Sequence, residues 1–376
     1  MQCDITGAQI LRPDGLVADV ISLRDGVFVA ARQNCQIDLS GYWLLPGIID
    51  IHGDGFERHL APRRGAVKAL GPGLVATEAE LAANGITTAV LAQFYSWEGG
   101  MRSPQFAQDF LNAWSDMAGH FDTDLIVQLR FETHMLEDYS RFYDLVRRFH
   151  VPYVVFNDHL PHRALAAGKT PPRLTGQALK SGRSPQEHLR LLAALQSQAA
   201  NVPAALHGLT LRLRARHTLL GSHDDADATA AAYAGDLGAT VAEFPETEAA
   251  AEAAVKAQRS VVLGAPNVVR GGSHNGHVSA ADLVRRNLCS ALASDYHYPS
   301  LRFAALALAK DIGLAGAWGW ISSGPARILG LDDRGGLAVG MRGDFVVLDA
   351  DSQRVMATFA NGRPSYLTGA ISERFF

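Results

Sequence analysis

His52 and Asp54 stand two residues apart at the end of the apolar run Leu45-Pro46-Gly47-Ile48-Ile49-Asp50-Ile51. Alternate side chains of a strand point to one face, so an imidazole and a carboxylate can share a site there. The pair suits a divalent ion such as zinc or manganese. An isolated His-x-Asp also occurs in exposed turns, and the rest of the chain decides between the two readings.

Other apolar segments also close on groups capable of chemistry. They are Arg130-Phe131-Glu132-Thr133-His134, Asn157-Asp158-His159, Ser222-His223-Asp224-Asp225 and Glu243-Phe244-Pro245-Glu246. Gly264-Ala265-Pro266-Asn267 runs on to Arg270-Gly271-Gly272-Ser273-His274, and Ser294-Asp295-Tyr296-His297 follows. Singly, each has a structural reading, since a strand-end Asp commonly caps the next helix. Gathered at one rim, the carboxylates repel each other, and desolvated charge is costly unless paired. A bound divalent ion resolves that repulsion better than a purely structural polar network.

The elements that must position these groups alternate along the chain. Strand-like segments end near Asp54, Tyr95, Thr133, His159, Asp224, Thr247, Val269 and His297. Helical patterns lie between them, as in Glu78 to Asn84, Pro104 to Ala118, Pro185 to Ala199 and Thr247 to Gln258. Eight strands separated by helices predict an α/β fold, a (β/α)8 TIM-type barrel spanning 46–334. The alternative is a doubly wound sheet, but no Gly-x-Gly-x-x-Gly turn follows the first strand. Residues 168–184, rich in Lys, Arg, Pro and Gly, read as a surface excursion. Residues 1–45 and 335–376 read as short strands and turns, so both termini are expected to form one small β-sandwich domain.

Composition narrows the function. The chain has 376 residues, 48% of them hydrophobic, and a net charge of -4. This is a globular composition with no basic excess for nucleic acid or a membrane surface. Three widely spaced cysteines, Cys3, Cys35 and Cys289, argue against a disulfide framework. No apolar run is long enough to span a membrane, and no signal peptide is evident. A cytoplasmic protein is expected. A homo-oligomer is compatible with the sequence.

In order along nearly the whole chain, several stretches resemble one family. They include Trp43 to Asp54, Gly85-Ile86-Thr87-Thr88, Leu129-Arg130-Phe131-Glu132, Asp158-His159, Ser222 to Ala226, Glu243-Phe244-Pro245, Gly264 to His274 and Ser294-Asp295-Tyr296. The resemblance is to the amidohydrolase superfamily and, within it, to the α-D-ribose 1-methylphosphonate 5-triphosphate diphosphatases of phosphonate metabolism. It implies a hydrolase holding one or two divalent ions, zinc, manganese or iron, and a small phosphorylated or phosphonate substrate cleaved to a 5-phosphate and pyrophosphate. The ligands it implies are His52, Asp54, Glu132, His223 and Asp295, with His159 as a further candidate. Asp295 is then placed to take a proton from water. Arg270, His274, Asn267 and Arg130 are the substrate-binding candidates, and Gly271-Gly272 offers backbone amides to an anion. The chain departs from the family after His159, where Leu160-Pro161-His162-Arg163 lacks the usual Gly-Gln pair, and again after His274 and Tyr296. Two other readings stay open: an amidohydrolase cleaving a C–N bond, and a non-catalytic barrel partner in a phosphonate-processing assembly.

Overall fold

The computed structural model describes residues 1–61, 69–272 and 278–375. Eight parallel strands form one sheet in chain order. They are β1 (Ile48–Gly53), β2 (Ile86–Tyr95), β3 (Asp124–Glu132), β4 (Tyr153–Asn157), β5 (Leu219–His223), β6 (Val241–Glu243), β7 (Ser260–Gly264) and β8 (Ala291–Ala293). Every residue of β1 and β2 is buried. That explains their near-continuous apolar sequence, as parallel strands are covered on both faces. A parallel bridge joins Gly53 to Asp295, just past β8, and so links the last strand back to the first. This is the expected (β/α)8 barrel architecture.

The chain divides into two compact units. One comprises Met1–Leu91, Met117–Ile126 and Ser260–Phe376; the other comprises Ala92–Asp116 and Val127–Arg259.

In the first unit, both termini build β-sheets. Strand Tyr42–Pro46 pairs antiparallel with Phe345–Asp349, Pro46 lying opposite Phe345. This six-stranded sheet also takes Gln9–Arg12 and Gly15–Ala18 from the N-terminal part and Val355–Ala360 and Arg363–Leu367 from the C-terminal part. A four-stranded sheet of N-terminal strands shares its core, in which Ile5, Leu23 and Phe28 meet Phe345 and Phe359. One residue separates Tyr42–Pro46 from β1. The Gly47 amide donates to the Asp344 carbonyl, and the Trp318 indole donates to the Pro46 carbonyl. The terminal sheets therefore fix the point at which β1 begins, four residues before His52 and six before Asp54.

In the second unit, helices follow the strands with local stop and start signals. Ser184 and Glu187 form a reciprocal capping box before Pro185–Ser197. Asp227 caps Ala228–Asp236, and Thr247 caps Glu248–Lys256.

Three expectations are corrected. The sixth strand ends at Glu243, and Thr247 is instead a helix cap. The seventh ends at Gly264. Ala265–Arg270 is a short helix with Pro266 in its first turn, and it buries Val268 while Val269 stays exposed. The stretch 168–184 contains a helix, Leu174–Ser181. It buries Leu174 and Ala178, four apart, and stops at left-handed Gly182.

The close fit around Gly53 is testable. A Cβ there would lie 2.7 Å from Asp50 Oδ2 and 2.9 Å from Ser294 Oγ, both inside the packed first unit. Gly53→Ala is expected to cost about 1–3 kcal/mol, the range for overpacking. Urea denaturation would check this; an unchanged midpoint would contradict the packing described.

Candidate active site

The second unit holds a dense polar cluster at its strand ends. Glu132, the last residue of β3, is fully buried. His159, two residues past β4, places Nδ1 2.5 Å from Glu132 Oε1, and its backbone amide donates to Glu132 Oε2 at 3.1 Å. The same Nδ1 is 3.7 Å from Glu98 Oε1, and His159 Nε2 is 3.8 Å from Asp224 Oδ2. His223, the last residue of β5, sets Nδ1 3.1 Å from Asp224 Oδ2. Three carboxylates thus surround two imidazoles.

Two guanidinium groups frame the cluster. Arg130 Nη2 lies 2.9 Å from His223 Nε2, and the guanidinium sits 3.8 Å from the centroid of the Phe94 ring. Arg102 lies 3.9 Å from the same ring and bonds Glu98 at 3.0 Å. Contacts of this kind favour a flat cation over an aromatic face.

The electrostatics follow from burial and pairing. Burial pushes the Glu132 carboxyl up, but His159 outweighs it, so the group ends below its ordinary value of 4.5. Burial disfavours the charged form of His159, yet the Glu132 charge and the bonds to Asp224 and Glu132 raise it to about 10. Asp224 is raised by burial and brought well below the usual carboxylate range by His223 and His159. In the metal-free protein, a proton on His159 supplies the positive charge that these carboxylates demand. Anionic oxygens and imidazole nitrogens at this spacing are a donor set that fits a divalent cation. Glu98, Glu132 and His159, or His159, His223 and Asp224, each bring donor atoms within 4.8 Å of one another and could hold one, with proton release on binding.

Behind these groups lies a structural layer. Gln128 Nε2 and Tyr153 OH both donate to Glu243 Oε1, at 2.7 and 2.6 Å. Ser222 donates to Asp225, and the buried Arg259 donates to Ser222, Asp225 and the carbonyls of Ala231 and Val241. In Ser222-His223-Asp224-Asp225, the outer two residues anchor the strand end while the inner two serve the cluster.

In the first unit, the end of β1 meets the end of β8. The Asp295 amide donates to the His52 carbonyl at 3.0 Å, and the Asp54 amide donates to the Asp295 carbonyl at 2.8 Å. His52 is fully buried. Asp50, also fully buried, accepts from the Ser294 hydroxyl at 2.5 Å and the Ser294 amide at 3.0 Å. Burial raises the Asp50 carboxyl, tempered by those bonds and by His52. The backbone thus places His52, Asp54 and Asp295 together.

Among the substrate-binding candidates, Arg130 belongs to the cluster of the second unit. Arg270 is exposed, and its guanidinium donates to the Tyr296 hydroxyl at 2.5 Å, with no carboxylate partner among the described residues. Asn267 is engaged elsewhere: its carboxamide donates to the Val278 carbonyl and accepts from the Ala280 amide, tying down the chain after its helix. The amides of Gly271 and Gly272 donate to Val268 and Asn267, so they close the helix rather than face an anion. His274 lies outside the described residues.

Sequence reasoning assigned no role to Asp50 or Glu98. A carboxylate inside a strand apolar on both faces was the signal for Asp50. Glu98 follows β2, the one strand whose end showed no charged group at once, and its place is visible only in three dimensions.

No family model matches the chain. The chain is 34% identical over 362 residues to the α-D-ribose 1-methylphosphonate 5-triphosphate diphosphatase of Escherichia coli strain K12, spanning 91% of this chain and 94% of that relative. Among solved structures, an amidohydrolase from an environmental sample of the Sargasso Sea superposes with a TM-score of 0.63 over 98% of this chain and 93% of its own, at 15% identity. N-acetylglucosamine-6-phosphate deacetylase from Thermotoga maritima superposes with a TM-score of 0.61 over 97% of this chain and 100% of its own, at 14% identity. These two structures share the fold.

The Glu132–His159 pair has a defined pH signature in the metal-free protein. Glu132 is lowered from 4.5, so its contribution is present above that value and lost as pH falls through the depressed one. His159 is raised from 6.5 to about 10, so its contribution is full below 6.5 and lost as pH rises through about 10. Glu132→Gln is therefore expected to destabilise most between the two ordinary values, by about 1–3 kcal/mol, and progressively less toward pH 10. Thermal unfolding of both proteins with a chelator present checks this; a pH-independent difference would refute the pairing.

Proposed function

The chain belongs to the α-D-ribose 1-methylphosphonate 5-triphosphate diphosphatase family of the amidohydrolase superfamily, and we propose that it is a metal-dependent hydrolase cleaving that triphosphate, or a closely related phosphate ester or anhydride. The products are the 5-phosphate and pyrophosphate. The observation that carries this reading is the excess of carboxylates over fixed cations around His159. Such a site is balanced by a divalent ion and, through it, can receive a polyanionic substrate.

Glu132, His159 and His223 are the proposed ligands within the second unit, and His52, Asp54 and Asp295 are proposed as a separate set within the first. All six stand at or just beyond the C-terminal ends of strands of one parallel sheet, where barrels of this type carry their chemistry. When bound, one or two divalent ions would lower the pKa of water and neutralise phosphoryl oxygens. Zinc suits the mixed nitrogen and oxygen donors, and manganese or iron would also accept them.

The protein's own groups do the rest. Asp295 accepts the proton of the attacking water on its carboxylate. The water oxygen bonds to phosphorus as the P–O bond to pyrophosphate breaks, and the proton passes from Asp295 to the leaving pyrophosphate. Arg130, held against Phe94, stands ready to offset charge that grows on phosphoryl oxygens. Arg270 carries a free face for the distal phosphates and is oriented by Tyr296.

Phosphorus NMR of the protein with ribose 5-triphosphates and nucleoside triphosphates tests the reading. Pyrophosphate and the 5-monophosphate are the expected products, and release of inorganic phosphate alone, or no turnover with any divalent metal, would exclude it. Asp295→Asn is expected to lower kcat by about 10²–10⁴. Arg270→Ala is expected to raise KM for a triphosphate by roughly tenfold or more, with a smaller effect on a monophosphate ester, in keeping with a charge-assisted bond worth ~1.5–3 kcal/mol. Equal effects on both substrates would remove Arg270 from the phosphate site.

A further inference from the structure

A second group of side chains able to ligate a metal stands in the second unit, separate from the residues assigned above. His134 Nε2 lies 3.3 Å from Asp158 Oδ2, and His162 Nε2 lies 2.8 and 2.9 Å from the two Asp158 oxygens. One donor atom from each residue falls within 4.8 Å of the others. The two imidazole rings are 5.0 Å apart.

The orientation of His162 is informative. Its Nδ1 is 2.7 Å from Gln196 Oε1, an oxygen that can only accept. Nδ1 therefore carries the hydrogen, and in the neutral ring Nε2 presents its lone pair to a carboxylate that also has only lone pairs to offer. Something positive must lie between them, a proton or a metal ion. Fixing Nδ1 by an outer acceptor while Nε2 faces inward is how proteins set histidine ligands.

His134 completes the set. It is 5% exposed, and Asp158 is the sole hydrogen-bond partner of its ring among the described residues. A tetrahedral zinc ion with bonds of about 2.0–2.1 Å spaces its donors roughly 3.3 Å apart. The two histidine–carboxylate separations, 3.3 and 2.8 Å, are near that value, and all three donors lie within 4.8 Å of one another. A cavity of about 450 Å³ reaches both His134 and Asp158, so an ion and a fourth, water ligand have access.

We propose that His134, Asp158 and His162 form an additional binding site for a zinc-class divalent cation, with Gln196 as the positioning residue that holds His162. The neighbouring Asp158 and His159 thus bond to different clusters.

The full-length protein is stripped with a chelator, titrated with zinc by calorimetry, and assayed for bound zinc after desalting. His162→Ala, at a 40% exposed side chain, is expected to bind one zinc fewer per chain than the wild type. Gln196→Leu, similar in size, is expected to weaken that one site about 10–100-fold and leave the others unchanged. Cobalt(II) in place of zinc should give a visible band that diminishes in His162→Ala. Equal zinc stoichiometry and affinity in the wild type and His162→Ala would overturn the proposal and leave a proton as the bridging charge. The count is a difference between two proteins, so it holds whether or not the hydrolytic reading fails.

Discussion

Glu132 is a carboxylate with no exposed surface, and the site's layout follows from compensating its charge. Burial alone would keep it protonated. His159 prevents that by offering both its backbone amide and its ring nitrogen to the two Glu132 oxygens. Once bound this way, His159 is itself turned toward Asp224 and Glu98, which need positive charge in turn. Each compensation creates the next demand, and two imidazoles cannot satisfy three carboxylates. Arginines at the rim, Arg102 beside Glu98 and Arg130 beside His223, add positive charge from outside.

The backbone shares in this constraint. Asp224, Phe244 and Asp295 all adopt left-handed conformations, with φ of 58°, 53° and 56°. Each lies within two residues of the end of β5, β6 or β8. Non-glycine residues resist this region, and such strain persists only where the surroundings hold it. Here the Asp224 amide is held by the Glu243 carbonyl, and the Asp295 amide by the His52 carbonyl. Turning the chain sharply at the rim lets a residue just past the strand still face the strand-end cluster. A gentler exit would carry Asp224 and Asp295 away with the following loop.

Much of this was legible in the sequence, because burial on both faces makes a parallel strand read as an unbroken apolar run. The strand ends at His52, Glu132 and His223 were visible as imidazole or carboxylate groups closing such runs. The alternation of such runs with helical patterns supplied the order of the eight units. Local signals misled where apolar residues continued past the strand: Val268-Val269 looked like strand, but Pro266 opens a helix and only Val268 is buried. Adjacent polar residues were also inseparable by type. Nothing in Ser222-His223-Asp224-Asp225 says that Asp225 belongs to Arg259 while Asp224 belongs to His159. The alternation of the strand separates Ser222 from His223, and the left-handed turn separates Asp224 from Asp225.

The same limit applies to Asn267 and the glycines after Arg270. Their composition suggested an anion pocket, since glycine permits close backbone approach and an amide side chain suits phosphate. The structure gives those groups a prior obligation. A six-residue helix leaves its terminal carbonyls without partners inside it, and Gly271 and Gly272 supply the missing donors. Asn267 bonds onward to the chain at Val278 and Ala280, so the segment before and the segment after are fixed by the same side chain. What the motif builds is a rigid base from which Arg270 projects. The exposed Arg270 side chain, bonded to Tyr296, is the part of this segment that the helix end does not use.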